Sequence, residues 1–351
     1  MNMEFPYFKT KLENLKKEFD LFDNVQLREY FEAKAKKEIE KLKDFVRERS
    51  FIAYLIGKKN SGKGTYAKMF AEIVDPQKVE HLSVGDLVRK TEEDLKDEKK
   101  KKEILKEFSK IHRGFTKPEL LEEIFEKRST QTLFPTDVIL TLLKMEIGKK
   151  EKKTLFIDGF PRDLDQLSLC LFFRELIGYR EDPDVFVLIE TPNSVIEERI
   201  KWRRVCPICQ TSRNLKLLPT SKVVFEDGQF HLICEKCNVK MVEKEGDQLG
   251  IEPIKERLKK EEEMVEKILQ ISGVPKIFLK NGIEVSVAKD YVDEYEITPE
   301  FEFEYDEKER KVIVKKKPFV VKDDFNRDVY SLLAPPVVLC LIKQLVDVLN
   351  L

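Results

Sequence analysis

The chain has 351 residues, which at about 150 residues per domain describes two or three folded units. Hydrophobic residues make up 41% and exclude global disorder, while 65 Lys+Arg against 66 Asp+Glu leave a net charge of -1 and no bulk charge to attract a polyanion. The stretch from Ser331 to Ile342 is broken by Pro335 and Pro336 and falls short of the roughly 18 apolar residues of a membrane span.

Residues 1–50 are rich in Lys and Glu, and Leu12, Leu15, Phe19, Ile39, Leu42, Phe45 and Val46 recur at helical spacing, so the segment is expected to be a helical extension. Glu4, Lys9, Lys11 and Glu13 interrupt any apolar core of a secretion signal, and a cytoplasmic protein is expected. Phe51 to Ile56 is an apolar run ending at Gly57, as a buried parallel strand requires. Similar runs return at Thr154 to Ile157 and Val185 to Ile189, with helical segments between them. That alternation predicts an α/β core with a parallel sheet and helices on both faces. Two insertions break it: a helical, charge-rich stretch from Thr91 to Thr132, and a short-stranded one from Val205 to Glu243. Beyond Ile283, Phe301, Phe303 and Tyr305 alternate with glutamates, then Lys311 to Lys317 alternates Val and Ile with lysines, which predicts a β-hairpin. A last helix follows Pro335 and Pro336.

Gly57-Lys58-Lys59-Asn60-Ser61-Gly62-Lys63-Gly64-Thr65 fits GxxxxGK directly after a predicted strand and before a predicted helix. In such a turn the backbone amides curl inward on phosphate oxygens, the helix start adds partial positive charge, and Lys63 adds a full one. Gly64 replaces the usual hydroxyl residue after the lysine, leaving Thr65 to supply one.

The cysteines carry the second signal. Cys206-Pro-Ile-Cys209 and Cys234-Glu-Lys-Cys237 stand 24 residues apart and suit a closed four-thiolate zinc site. A redox dithiol is the rival, but two pairs flanking a short-stranded segment favour metal. Cys170 and Cys340 lie in apolar surroundings as packing residues, and His81, His112 and His231 have no spacing that suggests a site.

The GKGT variant of the loop resembles the adenylate kinase and nucleoside monophosphate kinase family. His81-Leu-Ser-Val-Gly-Asp-Leu-Val-Arg89 is similar to that family's second motif, and Asp158-Gly-Phe-Pro-Arg162, with Gln166 four residues on, to its DGFPR signature. The resemblance implies a P-loop three-layer α/β/α core over 51–290, a helical monophosphate-binding insertion over 84–135 and a small zinc-ribbon lid over 205–243. Residues 1–50 and 291–351 remain as terminal extensions. The implied activity is reversible phosphoryl transfer from ATP to a monophosphate, AMP before others, with Mg²⁺ beside ATP and structural Zn²⁺ in the lid.

By the same resemblance, Gly57, Asn60, Ser61, Gly62, Lys63, Gly64, Thr65 and Arg199 hold ATP. Val84, Gly85, Arg89, Pro135, Gly159, Arg162 and Gln166 hold the monophosphate, and Lys63, Asp158, Arg162, Arg199, Arg203 and Arg257 serve the transfer. Arg199 and Arg203, four residues apart on a helix with Thr191 as its expected N-cap and Pro192 in its first turn, would share one face. The chain departs from the family at Lys59-Asn60, where Pro-Gly is usual, and at Val84, where threonine is typical. It also lacks an arginine shortly before Arg257, with Lys244 nearby. A monomer acting on free nucleotides, with no nucleic-acid or membrane partner, is expected. The competing reading is a kinase-like nucleotide-binding assembly or regulatory factor with weak catalysis.

Overall fold

The computed structural model describes residues 4–127 and 134–351. Helix α1 spans Asn24–Glu48, strand β1 Ile52–Gly57, α2 Lys63–Val74, β2 Val79–Ser83, α3 Val84–Asp94, α4 Glu98–Ile111, α5 Leu121–Glu126 and α6 Thr136–Gly148. Then come β3 Thr154–Asp158, α7 Leu164–Cys170, α8 Phe173–Ile177, β4 Asp184–Glu190 and α9 Asn193–Lys201. The small strands β5 Arg203–Val205, β6 Ser212–Asn214, β7 Val223–Glu226, β8 Gln229–Leu232 and β9 Val242–Glu243 precede α10 Lys255–Leu269 and β10 Lys276–Lys280. The chain ends with β11 Gly282–Glu284, α11 Ala288–Tyr291, β12 Pro299–Asp306, β13 Lys311–Pro318, β14 Val320–Lys322, β15 Asp328–Ser331 and α12 Ala334–Val348. Residues 128–132 of the expected helical insertion lie outside the described residues.

Five parallel strands form the central sheet in the order β10-β4-β1-β3-β2. This is the α/β three-layer core that the alternating pattern predicts. Strand alternation divides its side chains cleanly. Phe51, Ala53 and Leu55 face one apolar layer with Tyr66 and Phe70 of α2 and with α1 and α12. Ile52, Tyr54 and Ile56 face the other, with residues of α6, α8 and α10. Because β1 lies between β3 and β4, its C-terminal end opens at the point where connections depart in opposite directions, the crevice where α/β sheets bind ligands.

α12 packs against α1, α2 and β10, and the run Val337 to Ile342 is buried throughout. The first described residues differ from expectation: no helix forms between residues 4 and 23, so Leu12, Leu15 and Phe19 are not on one. That segment buries its apolar groups through distant contacts instead. Phe5 meets Phe278 edge-on at 5.2 Å, Phe19 meets Tyr30 at 5.8 Å, and the amides of Thr10 and Lys11 both donate to the Tyr291 carbonyl. The helix begins only where Asp23 caps it, its carboxylate accepting the N–H groups of Val25 and Gln26.

The β12–β13 hairpin pairs Pro299 with Pro318 through Asp306 with Lys311 and leans on the cysteine-bearing segment. Tyr305 stacks on Phe225 at 4.6 Å, Phe303 lies 5.7 Å from Phe230, and the Phe301 N–H donates to the Lys216 carbonyl at 2.7 Å. Such aromatic pairs add about 0.5–1.5 kcal/mol each beyond burial.

One buried ionic cluster ties the two ends of the chain together. Lys34 on α1 pairs with Asp293 at 2.7 Å and Glu296 at 2.8 Å, and Tyr30 donates its hydroxyl to Glu296 at 2.6 Å. The side chains of Lys34 and Glu296 are fully buried. Removing one partner leaves an uncompensated charge, so Lys34→Ala is expected to cost about 3–5 kcal/mol in urea unfolding. Lys34→Met combined with Glu296→Gln should cost less than Lys34→Ala alone; equal losses would show that the ion pair is not what matters there.

Candidate functional site

The loop between β1 and α2 follows from its residue types. Asn60 takes the left-handed conformation at φ 66°, which asparagine tolerates better than most side chains. Gly62 sits at φ 108°, and a Cβ there would come within 2.6 Å of the Tyr66 ring, so neither the backbone nor the space admits another residue. Asn60 Nδ2 and Ser61 Oγ are buried and have no hydrogen-bond partner among the described residues. Buried polar atoms are normally paired, so a loop that leaves two of them over is shaped for a polar guest. Lys63 donates Nζ to the carbonyls of Gly57 at 2.8 Å and Lys58 at 2.9 Å and lies 3.9 Å from Asp158.

The loop opens into a cavity of about 590 Å³. Gly57, Asn60 and Lys63 line it, and so do Val84, Gly85, Arg89, Gly159, Arg162 and Gln166. Asp158, Lys244 and Arg257 also face it. The two sets of residues suggested by the motifs therefore meet around one space. Phe134 lines the cavity, whereas its neighbour Pro135 starts α6 without lining it. Ser61, Gly62, Gly64, Thr65, Arg199 and Arg203 do not line it.

Electrostatics at the floor are finely opposed. Burial pulls the Lys63 ammonium below the usual lysine range, while Asp158 and Glu261 pull it back. Burial raises the Asp158 carboxyl, but His81, Lys63 and Arg162 outweigh it and hold Asp158 below the usual range. Asp158 is thus ionised at neutral pH. Gln166 is buried, and its Oε1 accepts the Arg162 N–H at 2.9 Å, which fixes the side chain with its NH₂ end left for other partners. Gly159, at φ 90°, leaves room for the Arg162 guanidinium, since a Cβ there would lie 2.9 Å from Nη2.

Arg199 and Arg203 do not share a helix face. α9 ends at Lys201, and Arg203 begins β5, where pairing with β6 and β9 pulls the chain out of the helical path. Arg199 donates to the Asn60 carbonyl at 3.1 Å and to Asn281 Oδ1 at 3.3 Å, so it supports the loop from behind. Arg203 forms a two-pronged pair with Asp247, 2.7 and 2.6 Å long. Thr191 is not the cap of α9. Its hydroxyl donates to the Ser61 carbonyl, and the first amide of the helix, on Asn193, donates to Asp324 at 3.0 Å from the turn between β14 and β15. Asp324 also pairs with Lys58 at 3.0 Å. A distant carboxylate has taken over a local capping role that the sequence assigned to threonine.

Several lining or supporting residues were given no role in the sequence reading, although Lys59 and His81 fall inside its motifs. His81 lies 3.8 Å from Asp158 and within reach of Gly64, and its Nε2 is buried without a hydrogen-bond partner among the described residues. Lys59 and Glu261 line the cavity, and Asn281 anchors Arg199. The i,i+4 spacing of Arg257 and Glu261 was the only available sign of one of them.

The cysteines form a separate centre. The sulfurs of Cys206, Cys209, Cys234 and Cys237 all lie within 4.8 Å of one another. The two halves are built alike: Gln210 and Asn238, each directly after the second cysteine of its pair, have φ 57° and 51°. Their amides donate to the carbonyls of Cys206 and Cys234 at 3.0 and 2.8 Å. Tetrahedral zinc with Zn–S near 2.3 Å would set its sulfurs about 3.8 Å apart, close to the 3.6 Å between Cys209 and Cys234 and within the 4.8 Å limit of this cluster. His231 is not part of it among the described residues. Cys170 and Cys340 are buried elsewhere, and burial pushes both thiols up to about 12.

Residues 57–206 match a family model described as an AAA domain. The adenylate kinase of Thermotoga petrophila is 31% identical over 199 residues, covering 56% of this chain and 75% of that protein. Those of Clostridium novyi and Clostridium perfringens are 25% and 27% identical over 232 and 234 residues, in each case 66% of this chain and 90% and 88% of theirs. Similarity of this extent, together with a family model that begins at Gly57 itself, makes the chain a member of the adenylate kinase family.

Proposed function

We propose that the protein is a nucleoside monophosphate kinase that moves the terminal phosphoryl group of ATP onto AMP. The observation that carries this reading is that one cavity is lined by Lys63 and its loop together with Arg89, Arg162 and Gln166. Phosphoryl transfer needs little covalent chemistry from the protein; it needs two phosphates held in line and charge placed around the group in flight.

In this reading the loop amides and Lys63 grip the donor phosphates. Arg89 and Arg162 take the acceptor phosphate, and the free NH₂ of Gln166 meets a ring acceptor such as adenine N1. Val84, apolar and beside Gly85, supplies contact without a hydrogen bond. Arg257 faces the transferring group, Arg199 steadies the loop, and Arg203 with Asp247 orients the start of the lid. Mg²⁺ held near Asp158 would neutralise charge between the β- and γ-phosphates. Zn²⁺ on Cys206, Cys209, Cys234 and Cys237 would be structural, because four thiolates leave no open position. The acceptor insertion is assigned to 84–135 and the lid to 205–243, on a monomeric, cytoplasmic enzyme that works on free nucleotides.

Purified protein with Mg²⁺ and ATP should convert AMP to ADP faster than it phosphorylates UMP, CMP or GMP; diphosphate from none of them would remove the enzyme assignment. Lys63→Ala is expected to lower kcat/KM by at least about 10²–10³-fold, the usual loss for a group that stabilises transition-state charge. Arg162→Ala should raise KM for AMP far more than KM for ATP, and an equal effect on both would contradict its placement.

Elemental analysis should find about one zinc per chain, and chelation should expose residues 205–243 to protease. A chain that is metal-free yet equally resistant would overturn the zinc assignment.

A further inference from the structure

The phosphate loop already engages an anion, and that anion belongs to the protein. Glu261, on the second turn of α10, accepts the Lys59 backbone N–H at 2.7 Å through Oε2, while its Oε1 accepts Arg257 Nε at 2.9 Å. Its neighbour Glu262 pairs with Lys58 at 2.6 Å, so two successive residues of one helix are fastened to the loop. Arg257 and Glu261 are one turn apart and share a helix face, which lets a guanidinium and a carboxylate approach the loop together.

A single N–H can make one good hydrogen bond to one anionic oxygen. A phosphate oxygen seated against the Lys59 amide and the Glu261 carboxylate therefore compete for the same proton. Two anions sharing that position would also repel each other. Something has to move when a triphosphate arrives. The loop backbone is held by Arg199 and Thr191, which donate to the carbonyls of Asn60 and Ser61, whereas Glu261 is a long side chain with rotamers to spare.

We propose that Glu261 imitates a donor phosphate oxygen: it occupies the Lys59 N–H and restrains Arg257 until a nucleoside triphosphate displaces it, which frees Arg257 for the transferring phosphoryl group. This rests on the donor site proposed above. Glu261 acts through the loop and through Arg257, and so is a positioning residue. Its charge also offsets part of the repulsion among Lys59, Lys63, Arg162 and Arg257 around the cavity. The consequence is ordered assembly. An acceptor monophosphate alone leaves Arg257 paired, and the full set of cations forms only after the donor has entered.

The test is calorimetric titration of the full chain, and of its Glu261→Ala and Glu261→Gln variants, with Mg²⁺ and adenylyl imidodiphosphate, an ATP analogue that binds without turnover. Loss of a competing charge-assisted hydrogen bond predicts that Glu261→Ala binds the analogue about tenfold tighter, with Glu261→Gln between it and the parent. KM for ATP should fall in the same order, while KM for AMP stays unchanged. A merely structural residue would weaken binding when removed. Unchanged or weaker analogue binding by both folded variants therefore overturns the proposal. If the parent and both variants all fail to bind the analogue, the donor-site assignment itself falls.

Discussion

A phosphate site has to gather cations and inward-pointing amides around one point, and such an arrangement repels itself. Burial and then the neighbouring Arg257, Arg203 and Lys244 depress the Lys59 ammonium. Burial and then Arg257 do the same to the Arg162 guanidinium, although Glu261 and Asp158 push back. The rest of the architecture can be understood as the means of holding that concentration of charge in place. Asp158 at the end of β3, Glu261 on α10 and Asp247 opposite Arg203 each bring an anion to within a few ångströms of a cation it restrains.

The sheet supplies the rigidity this requires. β1 is buried along its whole length and hydrogen-bonded on both sides, so the loop that leaves it has a fixed origin. One face is covered by α1, α2 and α12, the other by α6, α8 and α10. A well-packed interior transmits strain instead of absorbing it, so the loop geometry depends on helices that touch no ligand. Asn281 illustrates the coupling. It is fully buried, accepts from Arg199 and Ser331, donates to the Tyr66 hydroxyl and the Leu332 carbonyl, and so joins the back of the loop to the start of α12.

The cysteine-bearing segment is restrained from outside. Its hairpin Val223–Leu232 presents Phe225 and Phe230 to Tyr305 and Phe303, and Lys216 bridges Glu198 on α9 to Glu300 at the start of β12. Phe319 adds a small apolar cluster with Val195 and Leu217. The segment is therefore attached at its base to α9 and along its flank by the C-terminal hairpin. Its movement relative to the sheet must carry the hairpin with it or break these contacts.

What could be read without coordinates had a local cause. The strands at 52–57, 154–158 and 184–190 show themselves as apolar runs, because a buried parallel strand needs apolar side chains on both faces. The phosphate loop shows itself in glycines and a lysine, because its backbone cannot be made from other residues, and the cysteines show themselves as two closely spaced pairs whose four sulfurs converge. What depended on distant partners stayed hidden. Leu12, Leu15 and Phe19 have helical spacing, yet contacts such as Phe19 with Tyr30 and Thr10 with Tyr291 hold the segment in another form. Arg203 follows Arg199 by one helical repeat, yet strand pairing carries it to Asp247. Thr191 has the chemistry of a cap, yet Asp324, more than a hundred residues away, performs the task. Glu261 resembles any other glutamate on a charged helix until folding lays that helix against the loop. The amino-acid order alone determined which groups could bind phosphate and metal, because those abilities reside in side-chain chemistry and short-range backbone geometry. Only the tertiary structure decided which charges oppose one another, because Coulomb and hydrogen-bond energies depend on separations through space that folding alone establishes.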